Sequence, residues 1–234
     1  MPLNRRDFIK AGALATAGLF TSGLPGVGDA ASAAVPDIAH GSRTTPQVAL
    51  TFHGAGDPAI AKKLISIFSE TKTPVTVFAV GTWLKADPTV AKTLIDAGHD
   101  IGNHTYSHTQ MKTISAKMVD SEIALCAAEL TKLIGNHGKF FRPSGTQYST
   151  PLIRKTALKY GYKKCISYDV DSHDYQDPGK AAVVKNVMTN VKNGSIVSLH
   201  FGHQDTIDAL PTIIDQLHAK GLTPVTLSTM LGTI

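Results

Sequence analysis

Apolar residues fall in short runs, each closed by a polar or glycine-bearing turn, and between the runs they recur at helical spacing. Residues 48–52 form a short apolar run, 75–80 are β-branched and almost fully apolar, the signature of a strand buried on both faces, and 195–200 read as a further strand. Shorter strands are expected at 100–104, 140–142, 163–170 and 224–227. Helices are expected at about 59–69, 88–97, 115–134, 151–160, 179–192 and 206–220. Pro88 sits at a first-turn position, Ser115 at an N-cap, and Gly98, Gly135 and Gly161 at stops. Seven strands with helices between nearly all of them argue an α/β fold with a parallel sheet covered by helices. Seven units in about 190 residues suit a small, incomplete barrel better than an open doubly wound sheet. No Gly-rich dinucleotide fingerprint follows the first strand.

Polar residues gather where these strands end. His53 follows the first strand, His104 the third, Arg142 the fourth, Asp171 and Asp174 the fifth, and His200 the sixth. In parallel βα folds the carboxyl ends of the strands share one rim, so residues distant in sequence converge there. His104-Thr105-Tyr106-Ser107-His108 sets two imidazoles four residues apart. If the chain turns helical after His104, both lie on one face and can hold one divalent ion, with a third protein ligand still to be found. Asp171-Ser172-His173-Asp174 can orient an imidazole by a carboxylate, or serve as a turn cap. His203 is expected in solvent or along a cleft, and His40, His99, His137 and His218 carry no assigned role.

Composition narrows the classes. Of the residues, 42% are hydrophobic and 18% charged, ordinary for a globular chain. The net charge is +5, but the basic residues are scattered and aromatics make up only 6%, so no nucleic-acid footprint is visible. Two cysteines, Cys126 and Cys165, make no disulfide scaffold and read as small buried hydrophobes. Ten histidines are the unusual count.

Residues 1–33 read as an address. Arg5 and Arg6, followed by Phe8 and Lys10, precede an Ala/Gly-rich apolar stretch and the small-residue site Ala31-Ser32-Ala33. The order resembles a twin-arginine export signal, read by its translocation machinery. Gly23, Pro25, Gly26 and Gly28 interrupt the apolar run, which argues against a stable membrane span. A linker over 34–47 and one domain over 48–234 complete the expected organisation, and the expected location is secreted or extracytoplasmic.

The rim residues fall into a known order. Gly102-Asn103 leads into His104-Thr105-Tyr106-Ser107-His108. Phe141-Arg142-Pro143-Ser144-Gly145, Asp171-Ser172-His173-Asp174-Tyr175 and Ile196-Val197-Ser198-Leu199-His200 follow. The chain thus resembles the polysaccharide deacetylases, the NodB-homology domain or carbohydrate esterase family four, over about 48–231. The resemblance implies a distorted seven-stranded (β/α) barrel and metal-dependent removal of acetyl groups, as amide or ester, from a polysaccharide such as chitin or peptidoglycan. It implies catalytic roles for Arg142, Asp174 and His200, and metal ligation by His104 and His108. Zinc is the default ion, since imidazole and carboxylate also suit Co, Ni or Mn.

The first motif departs from the family's T-F-D-D-G, in which one aspartate is the base and the next a ligand. Here it reads Thr51-Phe52-His53-Gly54-Ala55-Gly56-Asp57. Two repairs are open. Glycines 54 and 56 can let the loop fold back so that Asp57 joins His104 and His108 on the metal, with His53 as base. That arrangement is the expected one. Alternatively His53 is the third ligand, in an all-imidazole site, with Asp57 as base. The family's aromatic after the motif-three proline is also absent. A glycan-binding protein of impaired catalysis, or a hydrolase of a non-sugar amide, are the rival readings.

Overall fold

In a computed structural model, residues 37–232 are described. The expected export signal, and the start of the expected linker, lie outside them.

Five strands form a parallel path in the order β3-β2-β1-β5-β4: β1 (Gln47–Gly54), β2 (Thr76–Ala79), β3 (Asp100–Asn103), β4 (Val170–Asp171) and β5 (Ser195–His200). A sixth, β6 (Thr223–Pro224), pairs with the start of β1. The path returns on itself through single-residue bridges. Asn103 pairs with Phe141, Phe141 with Cys165, and the segment beyond Cys165 leads into β4 and so back to β5. Six of the seven expected strand positions lie along this path, which has the outline of the distorted barrel, while the seventh, at 224–227, is the off-path β6 beside β1. Two of them are thinner than expected. At 140–142 and 163–170 the ladder is reduced because the Arg142 side chain takes the carbonyls of Ile166 and Ser167, at 3.2 and 3.0 Å. The Asp169 carboxylate likewise accepts from Ile196 N at 2.8 Å, a side chain working at a ladder position.

The helices are α1 (Pro58–Glu70), α2 (Gly81–Ala86), α3 (Pro88–Asp96), α4 (Ala116–Ile134), α5 (Pro151–Lys159), α6 (Lys180–Asn190), α7 (Gln204–Ala219) and α8 (Leu227–Leu231). Ser115 caps α4 through Met118 N, and Gly135 ends it at φ 77°, a left-handed position that glycine takes without steric cost. The short α2 and α8 were not expected; α8 begins where a strand was read, at Leu227.

Side-chain alternation along the strands separates two cores. Val48, Leu50 and Phe52 of β1 and Val197 and Leu199 of β5 join the helices in the larger, outer core. Ala49, Phe78, Phe140, Ile166, Ile196 and Leu227 fill the barrel's lower interior. Above that plug the inward positions turn polar: Thr51 and Ser198, then Arg142, then His53 and His200 at the mouth.

The segment expected as a linker lies on the barrel instead. Ile38 bridges Ile166, His40 bridges Ser195, and Arg43 pairs with Asp169 at 2.7 Å. Asp37 accepts from Ser149 N at 2.5 Å and from Arg154 Nη1 at 3.4 Å. Replacing Asp37 by Ala leaves both donors without their acceptor. It is expected to lower unfolding stability by about 2 kcal/mol, read from the shift in urea midpoint.

Candidate metal centre and active site

Each strand end delivers its residue for a local reason. His53 and His200 are register partners on neighbouring parallel strands, and their rings meet edge to face with centroids 4.3 Å apart. His104 follows β3 directly. Its ring lies 4.2 Å from that of His53 and 5.0 Å from that of His108. His53, His104 and His108 each offer one nitrogen, and these atoms lie within 4.8 Å of one another.

His104 is fully buried, and its Nδ1 lies 2.9 Å from the Arg142 carbonyl. A carbonyl only accepts, so Nδ1 carries the proton and Nε2 keeps its lone pair. That Nε2 is buried with no hydrogen-bond partner. A buried lone pair in a cluster of imidazoles is the chemistry a divalent ion requires, and a carbonyl behind the ligating ring is the usual support for it.

The route from His104 to His108 is not helical, contrary to the expectation from their spacing. Thr105 and His108 both have positive φ, 68° and 59°. A left-handed residue at each end turns the chain back, and this loop, rather than a helix face, brings the two imidazoles together. Asn103 Oδ1 accepts from Thr105 N at 2.8 Å, while Thr105 Oγ1 and Ser144 Oγ are 2.8 Å apart.

Arg142 is 1% exposed. It donates to Ile166 O, Ser167 O, Thr51 Oγ1 and, at 3.2 Å, His53 Nε2, and its guanidinium lies 4.2 Å over the Phe78 ring. Burial lowers its pKa to about 9, which leaves it charged at neutral pH. For His53, burial and then the His104, His200 and Arg142 neighbours hold the pKa well below the ordinary 6.5. Burial and His108 do the same for His104. Burial also lowers that of His108. The cluster is therefore neutral at pH 7, as cation ligands must be.

His200 and Asp174 form the fourth part. Asp174 Oδ1 lies 2.7 Å from His200 Nδ1, and its Oδ2 accepts from His200 N at 2.8 Å and Thr206 Oγ1 at 2.6 Å. Burial pushes this carboxyl up, but the hydrogen bonds from His200 and Thr206 outweigh it and the pKa is lowered. An ionised Asp174 fixes the proton on Nδ1 and leaves His200 Nε2 for the cleft. Asp171 acts as a turn cap, accepting from His173 N. A second pair, His203 and Asp177 at 3.0 Å, lies on the rim.

Asp57, the expected third ligand, is elsewhere. It is the N-cap of α1: its exposed side chain accepts from Ala59 N at 2.7 Å, and the histidine group forms without it. Pro58 at the first helical position makes that capping role the local preference. In the group of ligand atoms His53 stands where Asp57 was expected.

Sequence reasoning missed Glu122, Thr206 and Asn103. Glu122 had a signal. It shares the buried stripe of α4 with Val119, Ile123, Cys126 and Leu130, where an ionisable residue needs partners. Cys126 and Cys165 are both free and buried.

Such a mouth, where neutral donors for a cation lie beside a carboxylate-anchored imidazole, belongs to the hydrolases that work at the carboxyl end of a parallel α/β barrel. Its particular family follows from likeness to known proteins. The family profile described as polysaccharide deacetylase matches residues 40–165. A peptidoglycan-N-acetylglucosamine deacetylase of Bacillus cereus is 31% identical over 188 residues, 79% of this chain and 87% of that one. A crystal structure of a peptidoglycan N-acetylglucosamine deacetylase bound to a naphthyl-N-oxidanyl-benzamide superposes with a TM-score of 0.77. It is 27% identical, covering 82% of this chain and 91% of its own. A family-four pseudoenzyme from Bacillus anthracis also gives 0.77, at 25% identity, over 84% of this chain and 69% of that one. The chain belongs to the polysaccharide deacetylase family, and its relatives named as deacetylases are hydrolases of non-peptide carbon–nitrogen bonds.

The depressed imidazoles set a pH dependence. Below about 6.5 the unfolded chain binds protons that folded His53 and His104 refuse, so stability falls as pH drops toward their lowered values. The expected slope inside that window is about 1.4 kcal/mol per pH unit for each such histidine. Urea unfolding of metal-free protein between pH 7 and 5 checks it, and the slope is expected to lessen in His104→Gln.

Proposed function

We propose that the protein is an exported deacetylase that removes N-acetyl groups from an envelope or environmental polysaccharide, peptidoglycan and chitin fragments being the first candidates. The single observation that carries the reading is the orphaned, buried Nε2 of His104 within reach of His53 and His108. We assign those three imidazoles as the ligands of one divalent ion, zinc by default, in place of the carboxylate and two imidazoles first expected. The capping bond of Asp57 supports the change. Nitrogen donors alone favour Zn, Co, Ni or Cu over Mn or Mg.

A cation there supplies polarisation of the acetyl carbonyl and acidifies a water. The chain's own residues do the rest. His200, its Nδ1–H held by Asp174, presents Nε2 to take a proton from the attacking water and hand it to the departing nitrogen. With the His53 lone pair given to a cation it is no longer the acceptor for Arg142, whose charge keeps the neighbouring rings neutral. Tyr175, 44% exposed beside His200, offers a face for a sugar ring. Export through the twin-arginine machinery accords with residues 1–33 and with an extracellular polymer. Among the described residues no helix is long and apolar enough to cross a membrane.

A second reading is a glycan-binding protein without turnover. It is favoured by Gly54, which offers no ligand atom where the family has its second aspartate, and by the likeness to a pseudoenzyme.

Acetate release from chito-oligosaccharides and peptidoglycan fragments, with zinc content measured in parallel, separates the two. The expected result is about one zinc per chain and acetate release that chelation abolishes. His53→Ala and His104→Ala are expected to lose zinc, and Asp57→Ala to retain it. His200→Ala is expected to keep zinc and lower kcat by about 10²–10⁴. Zinc bound without acetate release from any fragment favours the binding reading.

A further inference from the structure

The loop that carries His108 is held from behind by one carboxylate. Glu122, on the inner stripe of α4, is 8% exposed. Its Oε2 accepts from Tyr106 N at 2.9 Å and from Ser107 N at 2.8 Å, and its Oε1 accepts from Ser107 Oγ at 2.6 Å. Those two residues lie between His104 and His108. They are flanked by Thr105 and His108 themselves, both in the left-handed region that non-glycine residues avoid. A loop with two such residues persists only where its surroundings over-determine it. Asn103 and Ser144 fix its first half through Thr105. In its second half, Glu122 takes the two backbone donors next before His108.

We propose that Glu122 is a positioning residue for the cation site: it clamps the 105–108 loop so that His108 meets His104 and His53, and it places a negative charge behind a neutral ligand set. The inference rests on the reading of His104 and His108 as ligands. It adds that the geometry of the second ligand is enforced from α4, an element outside the barrel wall. Removing such support for a ligand typically costs 10–100-fold in metal affinity.

The test uses full-length Glu122→Ala and Glu122→Gln proteins, with zinc and cobalt(II) as the probes. Glu122→Ala is expected to bind zinc about 10–100-fold more weakly than the parent and to show an altered cobalt visible spectrum. Glu122→Gln keeps one carbonyl oxygen for the backbone donors and is expected to recover part of the affinity. Hydrogen exchange of the metal-free proteins reads the clamp itself: the Tyr106 and Ser107 amides are expected to lose protection in Glu122→Ala. Parent-like zinc affinity and cobalt spectrum in Glu122→Ala overturn the proposal, and so does unchanged protection at both amides. If the parent takes up no zinc, the cation reading is what falls, and the exchange result alone decides whether Glu122 clamps the loop. Should Glu122→Ala not fold, the isosteric Glu122→Gln carries both measurements, with the same outcomes in smaller degree.

Discussion

A guanidinium inside the barrel, with no carboxylate in salt-bridge contact, is the constraint on which the rest of the structure depends. Burying Arg142 is costly unless its N–H groups are met and its charge is spread. Two carbonyls, a threonine hydroxyl and an imidazole nitrogen meet the donors, and the faces of Phe78 and Tyr168 lie 4.2 and 5.5 Å from its centre. Each of these has a consequence elsewhere. The carbonyls of Ile166 and Ser167 are drawn out of the ladder, so the wall between Phe141 and β4 is stitched by single bridges. The Arg142 carbonyl, meanwhile, sets the tautomer of His104. One residue therefore shapes the barrel wall and leaves the lone pair of His104 on Nε2.

The interior is layered, and the layering explains why the chemistry is confined to one end. On β1 the inward positions run Ala49, Thr51, His53, and on β5 they run Ile196, Ser198, His200. Apolar, hydroxyl and imidazole layers follow one another up the barrel at the two-residue period of a strand. The plug of Phe78, Phe140 and Leu227 fills the bottom with apolar side chains, away from the histidines at the mouth.

Much of this was legible in the sequence. The strand–helix alternation gave the barrel, and the strand ends gave His53, His104, Arg142, Asp174 and His200, because parallel strands share a rim whatever their spacing along the chain. What stayed hidden were contacts decided by loop geometry. Spacing alone suggested a helix face for His104 and His108, yet left-handed residues at Thr105 and His108 do the work. Asp57 read as a ligand because its residue type was right, whereas Pro58 after it marks a helix start. The segment before β1 read as a linker because it lies between the expected signal and the first strand, but Asp37 and Arg43 tie it down through partners 112 and 126 residues away, at Ser149 and Asp169. No local pattern announces such pairs.

Charge balance at the mouth follows from the histidine at the end of β1. The family's first motif, as read from its pattern, carries two aspartates where this chain has His53 and Gly54. An aspartate beside Arg142 would neutralise it; a neutral imidazole cannot. A cation among His53, His104 and His108 would share the mouth with the Arg142 guanidinium, whose charge the Asp171 carboxylate favours only through space, and none of the three imidazoles would offset the repulsion. The negative charges that remain are one step back. Asp174 lies behind His200, and Glu122 lies behind the loop that ends in His108. Both are buried and both are fully hydrogen-bonded, so each acts across a low-dielectric interior where its field is weakly screened. The buried carboxylates here thus lie behind the imidazoles and their loop rather than among the three donor nitrogens. An all-imidazole donor set of this kind would grip hard, oxygen-seeking ions less well than ions that prefer nitrogen.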